Sequence, residues 1–310
     1  MKINDIVIIG AGPAGMNAAL YAARSSMDVV IIEKGLHGGQ MQNTAEIENL
    51  IGFGLVTGPE LSNKMRKQLE EYDNIKFLSA SVTDVVKNED ETFKVELDKN
   101  SLLSRSVIIA TGTTAKKLMV PGELEGVGKG VSYCAVCDGS FFKNREVAVV
   151  GGGDSALEEA LYLAEICSKV TIIHRRDEFR ATPIYHEQVI NHPKIELKLN
   201  STVDEIVLDP IVKKVILNNT LTNEKSELSV NGIFIYVGNT PQTAFLKNID
   251  ILNDNGYVKT TPELQTKIDG IFAVGDVREE SFRQIVTAMG DGAFAAQKAY
   301  HFVKYGKNVL

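Results

Sequence analysis

Apolar residues in this chain keep two rhythms. Unbroken runs at Ile6–Ile9, Val29–Ile32, Val147–Val150 and Val170–Ile173 suit strands covered on both faces, as in a parallel sheet. Between the first two runs, Met16–Arg24 has helix composition. Between the last two, Leu157, Ala160, Leu161 and Ala164 share one helical face, with Glu158, Glu159 and Glu165 largely off it. The chain therefore carries two β-α-β units. They repeat a supersecondary unit, not a solenoid period. Segments that mix polar and apolar residues at 94–97 and 213–217 predict half-exposed antiparallel strands. Each is followed by an apolar strand that ends in glycine, at Gly112 and Gly238. A late strand leads to Gly275, and a helix is predicted from Ile285 to Val303.

Two joints stand out. Thr113–Ala115 and Asn239–Pro241 both follow a strand-ending glycine and are rich in turn residues. The second unit, 114–242, then reads as an insertion into a first unit made of 1–113 and 243–310. The fold class is α/β, with two Rossmann-like dinucleotide-binding domains, one inserted in the other.

The glycines that close the first and third runs carry candidate chemistry. Gly10, Gly12 and Gly15 lie between a buried strand and a helix. There Gly10 permits the turn, Gly12 lets backbone approach a phosphate, and Gly15 lets helix pack on strand. Helix N-terminal amides favour a pyrophosphate. A glycine turn without ligand is the plain alternative. Glu33 ends the second strand, where a carboxylate accepts from the hydroxyls of a ribose that has no 2′-phosphate. That fits FAD or NAD. The second loop, Gly151, Gly153, Asp154, Ser155 and Ala156, is followed at the equivalent place by His174, Arg175 and Arg176, with Arg180 beyond. Guanidinium groups pair with a 2′-phosphate, which a carboxylate would repel, so this site predicts NADPH. A solvated basic turn is the bland reading. FAD plus NADPH is the economical pairing, since two nicotinamides have no electron acceptor between them.

The 310 residues are 44% hydrophobic and 24% charged, ordinary for a soluble chain with room for two cores. A net charge of -7 argues against sequence-independent binding to nucleic acid or anionic membrane. Asn4 and Asp5 interrupt any signal-peptide pattern, and no run approaches the roughly 18 apolar residues of a membrane span. The expected compartment is the cytoplasm, where three cysteines do not make a disulfide scaffold.

Two of those cysteines, Cys134 and Cys137, are spaced C-x-x-C. Zinc needs about four ligands, and neither Cys167 nor the five histidines supply the spacing. A structural staple over so short a loop contributes only about 2 kcal/mol, against about 4.7 for a 100-residue loop. A redox pair needs an electron source, which the two nucleotide loops would provide. Asp138 follows directly, placed to act as general acid on a sulfur or, alternatively, to cap the next turn.

Taken together, the motifs resemble the low-molecular-weight bacterial thioredoxin reductases. They are GAGPAG at 10–15, GGQM at 38–41, EIEN at 46–49, TGPEL at 57–61, ATG at 110–112, GVSYCAVCDG at 130–139, GGGDSALEEALYL at 151–163, HRRDEFRA at 174–181, GIFAVGDVR at 270–278 and RQIVTAMGDG at 283–292. The resemblance implies a homodimeric flavoenzyme that reduces thioredoxin with NADPH. It implies that Cys134 attacks the thioredoxin disulfide, that Cys137 lies against the flavin, and that Asp138 donates a proton. It also implies FAD contacts at Gly12, Glu33, Gln40, Asn49, Asp276, Arg283 and Gln284, and a rotation of the inserted domain about the two joints. Phe141 and Phe142 are expected either to dock thioredoxin or to pack in the core. A ferredoxin- or flavodoxin-NADP reductase of the same fold would lack the cysteine pair. A small-molecule dithiol oxidase would lack the arginines, and the alkyl hydroperoxide reductase flavoprotein would carry a further N-terminal domain. A nucleotide-binding redox sensor without turnover is the alternative outside enzymes.

Overall fold

The computed structural model describes residues 2–44, 47–279 and 283–306, leaving out the side chains of residues 43, 136 and 137. Glu46 of the EIEN stretch and the Cys137 side chain therefore lie outside the described parts. The chain divides into two compact units, Met1–Thr114 with Thr240–Leu310, and Ala115–Asn239.

In chain order the elements are β1 (Ile3–Ile9), α1 (Pro13–Arg24), β2 (Val29–Glu33), α2 (Gly58–Leu69), β3 (Ile75–Ser79), β4 (Val82–Lys87), β5 (Phe93–Leu97), β6 (Ser101–Ile109) and β7 (Thr113–Ala115). The second unit supplies β8 (Val131–Ser132), α3 (Ala135–Asp138), β9 (Glu146–Gly151), α4 (Asp154–Ile166), β10 (Lys169–Ile173), α5 (Pro183–Ile190), β11 (Ile195–Lys198), β12 (Ser201–Leu208), β13 (Val212–Asn219), β14 (Lys225–Ser229) and β15 (Gly232–Tyr236). The chain then returns through β16 (Asn239–Pro241), β17 (Ile271–Ala273) and α6 (Ile285–Tyr305).

The first unit is built on a seven-stranded sheet ordered β3-β2-β1-β6-β5-β4, with β17 also on β6. Strands β1, β2, β3, β6 and β17 pair in parallel, and β4 and β5 are antiparallel. The long β6 serves two neighbours along one edge: Ser101–Ser104 pair with β5 and Val107–Ile109 with β17. The continuous apolar run of β1 has the expected cause. Ile6 and Ile8 enter the core under α1 and α6, while Val7 and Ile9 enter the core on the opposite face. Helices α1 and α6 meet closely because Gly292 lies against the Ala14 carbonyl, where a Cβ has no room.

The second unit is a five-stranded parallel sheet ordered β11-β10-β9-β15-β8, with the antiparallel set β12-β13-β14 beside it. The segments of mixed polar and apolar residues become β5 and β13, both antiparallel as expected. Helices α2 and α5 were not marked by the apolar rhythm. The second turns inward only through Val189 as a fully buried side chain, so its sequence carries little periodic signal.

Candidate functional site

Strand β1 runs into Gly10, whose φ of 106° belongs to glycine and whose absent Cβ leaves space for the Ala110 carbonyl. Gly12 caps α1, with Pro13 in the first turn, and the space where its Cβ would stand is open. Gly15 rests against the Gly10 carbonyl, a contact that any Cβ would block. These are the features of a cradle in which helix amides face an anion. Glu33, at the end of β2, closes it. Its carboxylate accepts from the Ala11 amide at 2.9 Å and from the Gly35 amide at 3.0 Å. Four lone-pair sites leave two for ribose hydroxyls. The residues present fit an adenosine dinucleotide.

Gln40 donates to the Thr113 hydroxyl at 2.8 Å. Asn49 donates to Gln284 at 2.9 Å, and Gln284 caps α6 through a reciprocal capping box with Thr287. Arg283 lies over the Tyr257 ring at 4.9 Å. Asp276 sits in the turn after β17, where burial raises its carboxyl pKa against the pull of Arg283. Sequence reading missed the support of that turn. Asp291 accepts from the Gly275 amide and from Arg278 Nε, both at 3.0 Å.

In the second loop Gly153 caps α4, and its open Cβ position repeats that of Gly12. Ala156 packs under Gly151. The structure separates His174 from the arginines with which it was grouped. Its ring is buried against Gly152, where a Cβ would strike it, and its Nε2 meets the Glu178 carbonyl at 3.1 Å. Burial first, then Arg175, Arg180 and Arg176, push its pKa down, so the ring forms a neutral wall of the loop. Arg175, Arg176 and Arg180 stand exposed, and the Arg180 amide is tied to the Gly152 carbonyl at 2.7 Å. Ser155 is exposed on the first turn of α4, and the Asp154 carboxylate accepts from the amide of Thr182, the N-cap of α5.

The cysteine turn follows β8. Cys134 is held in a disulfide. Ser132 Oγ accepts from the Cys134 amide at 3.0 Å and donates to Asp138 Oδ2 at 2.6 Å. Asp138 starts the turn Gly139–Phe142 but makes no side-chain cap there, so its carboxylate belongs to the cysteine turn instead. Phe141 and Phe142 take different roles. Phe141 is 75% exposed, whereas Phe142 packs edge-on against Phe234 with ring centroids 5.4 Å apart. Cys167 caps α4 and is buried, and burial pushes its thiol up to about 11, well away from a reactive thiolate.

Glu159 departs from its expected place off the apolar face of α4. It is half-buried, its Oε2 has no partner among the described residues, and burial followed by the charge of Glu158 pushes its carboxyl up to about 8. Burial and the Glu159 charge in turn raise the pKa of Tyr236. Tyr133, which lies within the GVSYCAVCDG stretch, and Tyr236 and Glu123, which carry no motif, also bear on the cysteine turn.

The description "Pyridine nucleotide-disulphide oxidoreductase" matches residues 4–292, and the chain belongs to that family. The thioredoxin reductase of Bacillus subtilis (strain 168) is 47% identical over 304 residues, covering 98% of this chain and 96% of that protein. The thioredoxin reductase of Listeria monocytogenes is 48% identical over 313 residues, covering 100% and 97%. A crystal structure of Lactococcus lactis thioredoxin reductase superposes with a TM-score of 0.93 at 48% identity, covering 97% of this chain and 99% of that one. Within the family, then, this chain falls among the thioredoxin reductases. It is an oxidoreductase that uses a flavin and a nicotinamide nucleotide.

Proposed function

We propose that this chain carries two electrons from NADPH, by way of FAD and the Cys134–Cys137 pair, to the disulfide of thioredoxin. The observation that carries the reading is the cysteine turn itself, where Ser132 holds both the Cys134 amide and the Asp138 carboxylate. The names of the relatives support thioredoxin as the substrate. Glu33 at one loop and the exposed Arg175, Arg176 and Arg180 at the other support FAD at the first and NADPH at the second.

FAD, held by the Gly10–Gly15 loop and Glu33, would supply the two-electron chemistry that links a nicotinamide hydride to a disulfide. The chain's own residues do the rest. Once the pair is reduced, Cys134 Sγ attacks one sulfur of the substrate disulfide as a thiolate. A mixed disulfide forms and the second substrate sulfur leaves with the bonding electrons. Asp138, held by Ser132, delivers the proton that this sulfur needs. Cys137 then attacks Cys134 Sγ, frees the remaining substrate sulfur and restores the Cys134–Cys137 disulfide. The substrate has gained two electrons and two protons, one delivered through Asp138 and the other released by the Cys137 thiol as it attacks.

The joints at Thr114–Ala115 and Asn239–Thr240 are where a turn of the second unit would be absorbed. Resemblance supports a homodimer in the cytoplasm, and no helix among the described residues is long and apolar enough to cross a membrane. The test is anaerobic titration with NADPH, following flavin bleaching and then the free-thiol count. Two thiols should appear per chain in the native protein and none in the Cys134→Ser, Cys137→Ser protein, which should also fail to reduce thioredoxin. A double-serine protein that still reduces thioredoxin at the native rate overturns the reading.

A further inference from the structure

Cys134 is fastened on both sides by a tyrosine hydroxyl, and each fastening leads to a segment through which the chain enters or leaves the second unit. On the entry side the unit begins at Ala115. The Lys116 amide bonds the Gly238 carbonyl at 2.8 Å. The Leu118 and Met119 amides then donate to the Glu123 carboxylate at 3.0 and 2.6 Å. Tyr133 donates its hydroxyl to the same carboxylate at 2.7 Å, and Tyr133 directly precedes Cys134. On the exit side β15 ends at Tyr236, shortly before the unit ends at Asn239. The Tyr236 hydroxyl accepts from the amide of Ala135, the residue that follows Cys134, at 2.8 Å.

The entry-side fastening has the physical marks of a rigid joint. Glu123 is 0% exposed, and a carboxylate without water is tolerated only when its oxygens are bonded. Three donors converge on it, and hydrogen bonds to an ionised acceptor are the short, strong kind. Met119 takes a left-handed φ of 62° while its side chain stands 77% exposed. That conformation is costly for a residue with a Cβ, and here the grip of Glu123 on its amide holds it. The flanks of Cys134 are also anchored to different faces of the sheet. The Tyr133 ring packs with Leu118 and Val120 on the core around Val131, Ile206 and Val212, whereas Ala135 belongs to the core around α4.

We propose that Tyr133 and Tyr236 are positioning residues for the disulfide step, making Cys134 and the entry and exit segments of its unit one rigid piece. The sulfur is then presented at a constant place relative to the two backbone links with the unit that holds the flavin-type loop. The proposal rests on the reading of Cys134 as the redox cysteine. Each tyrosine acts through backbone and neither is assigned a chemical step.

The test uses Tyr133→Phe, Tyr236→Phe and the double variant of the flavin-loaded enzyme. Each single change deletes one oxygen and keeps the ring, so either variant can carry the test if the other folds poorly. We expect kcat with thioredoxin to fall about tenfold in each and about a hundredfold in the pair, because the two struts are separate. KM for thioredoxin and the rate of flavin bleaching by NADPH should stay within twofold of the parent. Equilibration with dithiothreitol redox buffers gives a readout independent of turnover. A looser turn lowers the effective concentration of the two thiols, so the disulfide constant should fall about tenfold, a rise of about 30 mV in potential. An unchanged kcat and potential in both single variants overturns the proposal. So does a parallel fall in flavin bleaching, which marks a general loss of structure. Native turnover in Cys134→Ser would instead sink the reading on which the proposal rests.

Discussion

Ser132 and Asp138 close the cysteine turn from its two ends, with the Ser132 hydroxyl donating to the Asp138 carboxylate at 2.6 Å. The same oxygen receives the Cys134 amide, so one hydroxyl orients both the proposed attacking residue and the proposed proton donor. Ser132→Ala should lower thioredoxin turnover about fivefold and cost about 1 kcal/mol of stability, while Ser132→Thr should recover most of the rate. Steady-state assays of the two variants check this, and equal rates in both would separate the hydroxyl from the chemistry.

Glu33 gives a prediction for the first loop. Its carboxylate holds the Ala11 and Gly35 amides, and its remaining lone pairs are the ones a ribose would use. Glu33→Ala should be purified with less than about half of the parent's flavin, since loss of hydrogen bonds to a charged acceptor costs about 1.5–3 kcal/mol each. The ratio of flavin to protein absorbance after dialysis is the measurement.

The exposed arginines of the second loop are proposed, on the same reasoning, to set the cofactor preference. Arg175→Ala with Arg176→Ala should raise KM for NADPH about tenfold or more and leave KM for NADH nearly unchanged, because only the first offers a 2′-phosphate to a guanidinium. His174, neutral and walled in beside Gly152, should behave differently. His174→Ala should weaken both cofactors together by loosening the loop. Initial-rate kinetics with each nucleotide distinguish the two patterns.

Glu159 makes stability depend on pH. Its carboxyl, pushed up to about 8 by burial and Glu158, starts from an ordinary value of 4.5. Between those values the folded state holds a proton that the unfolded chain releases, so the contribution is complete below about pH 4.5 and is lost as pH rises through about 8. The loss is of the order of a few kcal/mol. Glu159→Gln should remove that slope and be more stable than the parent at pH 9. Chemical denaturation across pH 5–9 reads it, and parallel curves for the two proteins would deny the group any such role.

Much of this is legible in the sequence. The runs Ile6–Ile9 and Val147–Val150 had to be doubly buried strands, since nothing in them faces water, and the structure buries all of them. Glycine loops after such strands name their own geometry, because Gly10 and Gly15 sit where no Cβ fits. The less legible parts are those without a period. Helix α5 hides little apolar surface, so no rhythm marked it. Glu159 looked like a solvated charge from its spacing, yet tertiary packing partly covers it.

Local order along the chain, then, determined the elements, the glycine turns and the C-x-x-C pair, because each rests on residues a few positions apart. Only the tertiary structure decided which groups steady that pair. Glu123 reaches Tyr133, and Tyr236 reaches Ala135, across chain separations that no periodicity encodes. It also decided that Phe142 and His174 turn inward while Phe141 and Arg175 do not. Neighbouring side chains of like chemistry are told apart by which face of the folded sheet they meet, and that face exists only after distant strands have paired.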